Sequence, residues 1–133
     1  MAVPIFFSIF ASQKNIIIMS KTIEYDGIVM ETKDGGTRYT FFKIHNTFGT
    51  LSLYLNKKDD TAYISDFYVT ENHRGKGIGT LLIKKALFIC DSQKKKAELH
   101  VVRDNTRAIT FYKRLGFKED KAHSTAYVLK MVM

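Results

Sequence analysis

One feature constrains this chain more than any other: its hydrophobic period changes at Gly77. Upstream, short β-branched and aromatic runs alternate polar and apolar residues. Downstream, Ile78, Leu81, Leu82, Ala86 and Ile89 recur at helical spacing, with Lys84 and Lys85 on the other side. A period of two puts apolar groups on one face of a strand, and a period near 3.6 puts them on one stripe of a helix. A run of strands followed by helices has to bury those faces against each other in layers. The expected strands are 22–31, 37–45, 50–55 and 61–69, separated by turn signals at Asp34-Gly35-Gly36, 46–49 and 57–60. After the first helix come a strand at 97–102 and a helix that Asp104 or Asn105 can cap. Gly116 stops that helix, Phe117 opens a strand, and 125–131 closes the chain. The order ββββ-α-β-α-ββ predicts a mixed α/β (α+β) fold with a mostly antiparallel sheet.

The length of 133 residues suits one domain. We place a single domain at 20–133 and an apolar extension or packing segment at 1–19, with Met19 as an alternative start. Residues 1–11 are uncharged, so they lack the positive n-region of a signal peptide, and they are too short for a membrane span. The expectation is a cytoplasmic protein with no membrane partner. Cys90 stands alone, which excludes an intrachain disulfide, and the four histidines show no zinc-ligand spacing, so no metal is expected. The net charge of +8 attracts polyanions. We find no RNA-type aromatic motif or basic recognition helix, so nucleic acid is not the expected partner. Lys94-Lys95-Lys96 reads as a solvated basic turn at a helix end.

The chemistry concentrates in residues 66–82, DFYVTENHRGKGIGTLL. A strand ends, and Arg74-Gly75-Lys76-Gly77-Ile78-Gly79 leads through Thr80 into a helix. Glycines let the backbone approach a ligand, and a helix start offers unpaired N–H groups with about half a positive charge. Arg74 and Lys76 add two full charges, which makes a pyrophosphate cradle. The spacing fits neither a P-loop nor a dinucleotide-binding fingerprint.

Arg74-x-x-Gly77-x-Gly79 resembles the acetyl-CoA signature of the GNAT superfamily of N-acetyltransferases. Asn105-x-x-Ala108-x-x-Phe111-Tyr112-Lys113-x-Leu115-Gly116-Phe117 is similar to a second signature of the same family. The resemblance implies a V-shaped splay between the fourth and fifth strands and acetyl-CoA as cosubstrate. It implies that the Phe67, Tyr68 and Val69 backbone holds the pantetheine arm. Arg74, Gly75, Lys76, Gly77, Ile78, Gly79 and Thr80 would hold the pyrophosphate, and Asn105 would reach the pantetheine or orient the Asp104 turn. Tyr112 matches the family's frequent general acid, which protonates the leaving thiolate. With an ordinary pKa near 10 it carries a proton to give. Its alternative reading is a packing aromatic, as for Phe111 and Leu115.

An amine acceptor must lose a proton. Many relatives use a strand-four Glu, but Tyr63 and Ser65 stand at those places, and strand alternation sends Asp66 to the opposite face from Ser65. Tyr63 and His100, in Leu99-His100-Val101, resemble the Tyr and His pair of one type of N-terminal protein acetyltransferase. Histidine suits proton acceptance near neutrality. A structural His is the alternative, and Glu71 and His73 are weaker candidates.

Most family members insert two helices after the first strand, whereas only a glycine turn lies between Glu31 and Arg38. This predicts an open acceptor side, completed by the N-terminal segment or a second subunit in a monomer or homodimer. An open side suits a protein or peptide amine. The expected activity is acetyl transfer from acetyl-CoA to a primary amine. The alternative is an acetyl-CoA-binding protein with little or no turnover.

Overall fold

The computed structural model describes residues 20–25, 27–33 and 39–133. The segment 1–19 and the glycine turn at 34–36 lie outside the described residues. The elements run β1 (Ser20–Tyr25), β2 (Ile28–Lys33), β3 (Tyr39–Asn46), β4 (Gly49–Asn56), β5 (Thr61–Val69), α1 (Ile78–Ser92), β6 (Lys96–Val102), α2 (Thr106–Leu115), β7 (Lys118–Glu119) and β8 (Val128–Val132). They form one eight-stranded sheet in the order β1-β2-β3-β4-β5-β6-β8-β7. Only β5 and β6 run parallel among these pairs. The expected mixed, mostly antiparallel α/β architecture is the observed one.

The first strand is the exception. Residues 22–31 are divided between two strands, β1 and β2, which pair antiparallel. Gly27 has φ +74°, and a Cβ there would sit 2.5 Å from the His45 carbonyl oxygen. That carbonyl's own residue donates its N–H to Gly27 O at 2.8 Å. Only glycine lets the two backbones meet this closely, so the turn replaces a continuous strand.

Register assigns the two faces of the sheet. Leu53 and Leu55 stand opposite Ile64 and Ala62, while Tyr54 and Ser52 stand opposite Tyr63 and Ser65. Helix α1 lays Leu82, Ile83, Ala86 and Ile89 on the leucine face, and all four are buried with Leu51, Leu53, Ala97, Leu99 and Met131. Each such Leu or Ile contributes about 1.5–3 kcal/mol by leaving water. This burial fixes which side of α1 faces the sheet. The other face carries a row that runs Glu31, Phe41, Tyr54, Tyr63, Glu98 across five strands.

Local chemistry sets the second helix as expected. Asn105 caps α2, its side-chain oxygen accepting from Ala108 N at 3.2 Å, and Gly116 ends it at φ +108°. The basic run is more than a solvated turn. Lys95 Nζ donates to Asn56 O at 2.8 Å and also to Asp59 O, tying the α1–β6 turn to the β4–β5 turn.

Candidate active site

The site begins where β5 and β6 part. They pair at three positions only, Thr61 with Lys96, Ala62 with Ala97 and Tyr63 with Glu98. Beyond these, β5 runs on to Val69 and β6 to Val102. A bulge accompanies the parting. Between the pairs Ser52–Ser65 and Thr50–Tyr68, β5 carries one residue more than β4, and Asp66 has φ +49°. An extra residue shifts the parity of everything after it. Tyr63, Ser65 and Tyr68 therefore share one face, and Phe67 and Val69 turn to the helix face. Strict alternation, used above to place Asp66, ends at Ser65.

The turned ring of Phe67 meets the start of α1. A Cβ on Gly79 would lie 3.0 Å from Phe67 Cζ and 3.5 Å from Phe111 Cζ. Gly79 is thus a close-packing residue on its side-chain side, and Ile78 packs against the core. What these two offer a ligand is their N–H groups. Gly75 (φ +76°) and Gly77 (φ +84°) differ, because a Cβ on either would meet nothing within 4 Å. Gly77 occupies the N-cap position and no side chain caps the helix. Leu81 N bonds to Gly77 O at 3.0 Å, so the preceding first-turn N–H groups have no partner within the helix. Arg74 Nε donates to Val69 O at 2.9 Å, and its guanidinium lies 5.6 Å from the centre of the Tyr68 ring. A phosphate group fits the open glycine side of this helix start, where both dipole and charge favour an anion.

A cleft of about 770 Å³ runs from this helix start along β5 to α2. Phe67, Tyr68, Val69, Arg74, Gly75, Gly77, Gly79, Thr80, Asn105 and Tyr112 line it, which brings together most of the residues expected to hold the cosubstrate. Lys76 and Ile78 are not among its lining residues. Arg107, Thr110 and Arg114 line it as well. The sequence reading missed these, although their spacing of three and four residues places them on one side of α2. They bring two further cations to the cleft.

Tyr112 sits at the α2 side of the cleft. The residue is 9% exposed, and its ring packs against Phe67, Phe111 and Phe117. Burial in this aromatic cluster pushes its phenol pKa up to about 12. The phenol therefore stays protonated near neutral pH.

Tyr63 and His100 do come together. Their rings lie edge to face with centroids 5.3 Å apart, on the parting strands and outside the lining of the 770 Å³ cleft. His100 Nε2 lies 3.0 Å from Glu98 Oε2, and Lys130 Nζ lies 3.4 Å from Glu98 Oε1. Glu98 also escaped the sequence reading, which sought a carboxylate on β5. Its only sequence signal is its place two residues before His100. His73, a weaker candidate, is engaged elsewhere: its Nδ1 lies 2.8 Å from Thr70 Oγ1. Among the described residues no cluster of three or more His, Cys, Asp or Glu side chains could hold a metal ion, and no helix is long and apolar enough to cross a membrane.

A mixed sheet that opens between two parallel strands, beside a bare glycine-rich helix start, is the architecture of the N-acetyltransferases. Residues 10–117 match the acetyltransferase (GNAT) family, and the chain belongs to it. It is 44% identical over 64 residues to an uncharacterized N-acetyltransferase of Methanocaldococcus jannaschii, a match covering 47% of this chain and 28% of that protein. It is 36% identical over 67 residues to the thialysine N-epsilon-acetyltransferase of Bos taurus, covering 50% of this chain and 39% of that one. The chain thus spans well under half the length of these curated relatives. Naa50 of Arabidopsis thaliana, in complex with the bisubstrate analogue CoA-Ac-MVNAL, superposes with a TM-score of 0.57 at 26% identity over 71% of each chain.

Proposed function

We propose that the chain transfers an acetyl group from acetyl-CoA to a primary amine by direct attack, and that a peptide N-terminus is the favoured acceptor. One observation carries the reading: the uncapped, glycine-opened start of α1 and the buried Tyr112 line the same cleft. The cosubstrate brings an activated acyl thioester. The first-turn N–H groups of α1 hold its pyrophosphate, with Arg74, Arg107 and Arg114 supplying counter-charge. The Phe67–Val69 backbone, past the last β5–β6 pair, is placed to bond the pantetheine amides. Tyr112 gives its proton to the departing sulfur.

His100, supported by Tyr63, accepts the proton of the amine. Glu98 accepting from His100 Nε2–H leaves the Nδ1 lone pair for that task. An N-terminal amine has a pKa near 7.7–8.0, so roughly a third is already neutral at pH 7.5, against about 0.1% of a lysine amine. A solvent-exposed histidine has far less to do for the first. The likeness to Naa50, whose bound analogue carries the sequence MVNAL, supports the same acceptor class.

The test is an assay of thiol release and product mass with acetyl-CoA and a panel of N-terminal peptides, internal-lysine peptides, polyamines and aminoglycosides. The expected result is a kcat/KM for N-terminal peptides at least tenfold above the others. CoA binding with no acetyl transfer to any member would identify an acetyl-CoA-binding protein instead.

A further inference from the structure

The glycine-rich loop is poorly suited to hold its own position. Gly75 and Gly77 touch nothing on their open side, and no residue of the short 3₁₀ turn Glu71–His73 just before it is buried. What anchors that turn is a contact from another part of the chain. Phe48, in the turn between β3 and β4, stacks on the His73 imidazole with centroids 3.7 Å apart and planes 11° from parallel. Thr70 N donates to Phe48 O at 2.8 Å, and His73 N donates to Thr70 O at 2.9 Å. Thr70 Oγ1 and His73 Nδ1 share a hydrogen bond of 2.8 Å. Phe48 is itself fixed, since its N–H donates to Asn46 Oδ1 at 2.8 Å. The next residue after His73 is Arg74, whose Nε reaches Val69 O.

We propose that the Phe48–His73 stack is a brace that sets the glycine-rich loop for the phosphate end of acetyl-CoA, with both residues acting as positioning residues. The proposal rests on the acetyl-CoA reading above. A glycine loop samples many conformations, and each one excluded by an anchor at its entrance lowers the ordering cost of binding. The stack restrains the loop's entrance without touching the thioester end of the cleft, so its effect falls on one end of the cosubstrate.

The experiment compares acetyl-CoA with S-acetylpantetheine, which has the thioester but no pyrophosphate, in the full-length protein. Phe48→Ala should raise the KM for acetyl-CoA about tenfold, leave kcat within twofold, and leave kcat/KM for S-acetylpantetheine within twofold. His73→Phe, which restores a ring to stack, should keep KM within threefold of wild type. His73→Ala repeats the Phe48→Ala test without altering the β3–β4 turn, should Phe48→Ala fail to fold. The brace is refuted if the alanine variants leave the acetyl-CoA KM unchanged, or if they lower activity equally with both donors. Failure of the acetyl-CoA reading itself would appear in the wild-type protein, as an absence of CoA binding by calorimetry.

Discussion

Replacing Tyr112 by Phe isolates one proton. The ring contacts to Phe67, Phe111 and Phe117, at centroid distances of 6.2, 5.5 and 5.8 Å, need only the ring. Folding stability near neutral pH should therefore change by less than about 1 kcal/mol. With its pKa pushed up to about 12, Tyr112 is protonated in all but roughly one molecule in ten thousand at pH 8. A positioned general acid is worth about 10²–10⁴ in rate, so kcat with acetyl-CoA should fall at least about 100-fold, or ~2.7 kcal/mol in the barrier. The pKa also predicts a stability signature. The folded value lies above the ordinary 10, so this contribution is whole below pH 10 and is lost as pH rises from 10 to 12. The loss is about 2–3 kcal/mol, and Tyr112→Phe should not show it. Stopped-assay kinetics at pH 8 and denaturant melts from pH 8 to 12 read both effects. A variant that keeps kcat within threefold of wild type would show that the phenol is packing and not the acid.

The remaining expectations are brief. His100→Gln and Tyr63→Phe should each lower turnover 10–100-fold at pH 7. The deficit should shrink toward pH 9 as the amine loses its proton unaided, and full turnover by both across pH 6–9 would remove the pair from the mechanism. Gly77→Ala forces a side chain into the left-handed region at φ +84°, at about 1–2 kcal/mol. The melting temperature should drop by roughly 3–6 °C while the acetyl-CoA KM rises, and an unchanged melt would contradict that backbone assignment. Cys90 is buried, and burial raises its thiol pKa to about 12, so a thiol reagent at pH 8 should label it only on unfolding. Labelling of the native protein within minutes would argue against that burial.

Much of the site was legible because its signals are local. Gly77, Asn105 and Gly116 each answer to the backbone geometry of a helix end, and the residues at fixed offsets from them make the two signatures. The split at Gly27 was missed, although Asp-Gly is a hairpin signal; the alternating run around it masked the turn. Other features depend on partners far along the chain. Nothing in residues 61–69 announces that β5 will hold one residue more than β4. Glu98 acquires its meaning only when β6 sets it beside His100 and Lys130, and Lys95 only when α1 ends over the β4–β5 turn.

The bulge at Asp66 makes the strand sensitive to identity more than to number. The side chain is solvent-exposed, and φ +49° is a conformation that Asn or Gly adopts readily and a β-branched residue does not. Asn or Gly at 66 should therefore be tolerated, and Val or Ile should not. Removing the residue is a different matter. One position fewer would restore unbroken alternation, with Phe67 opposite Leu51 and Tyr68 still opposite Thr50, so both rings keep their faces. Position 66 thus works as a spacer: a missing letter should cost the strand its bend and leave its reading frame intact.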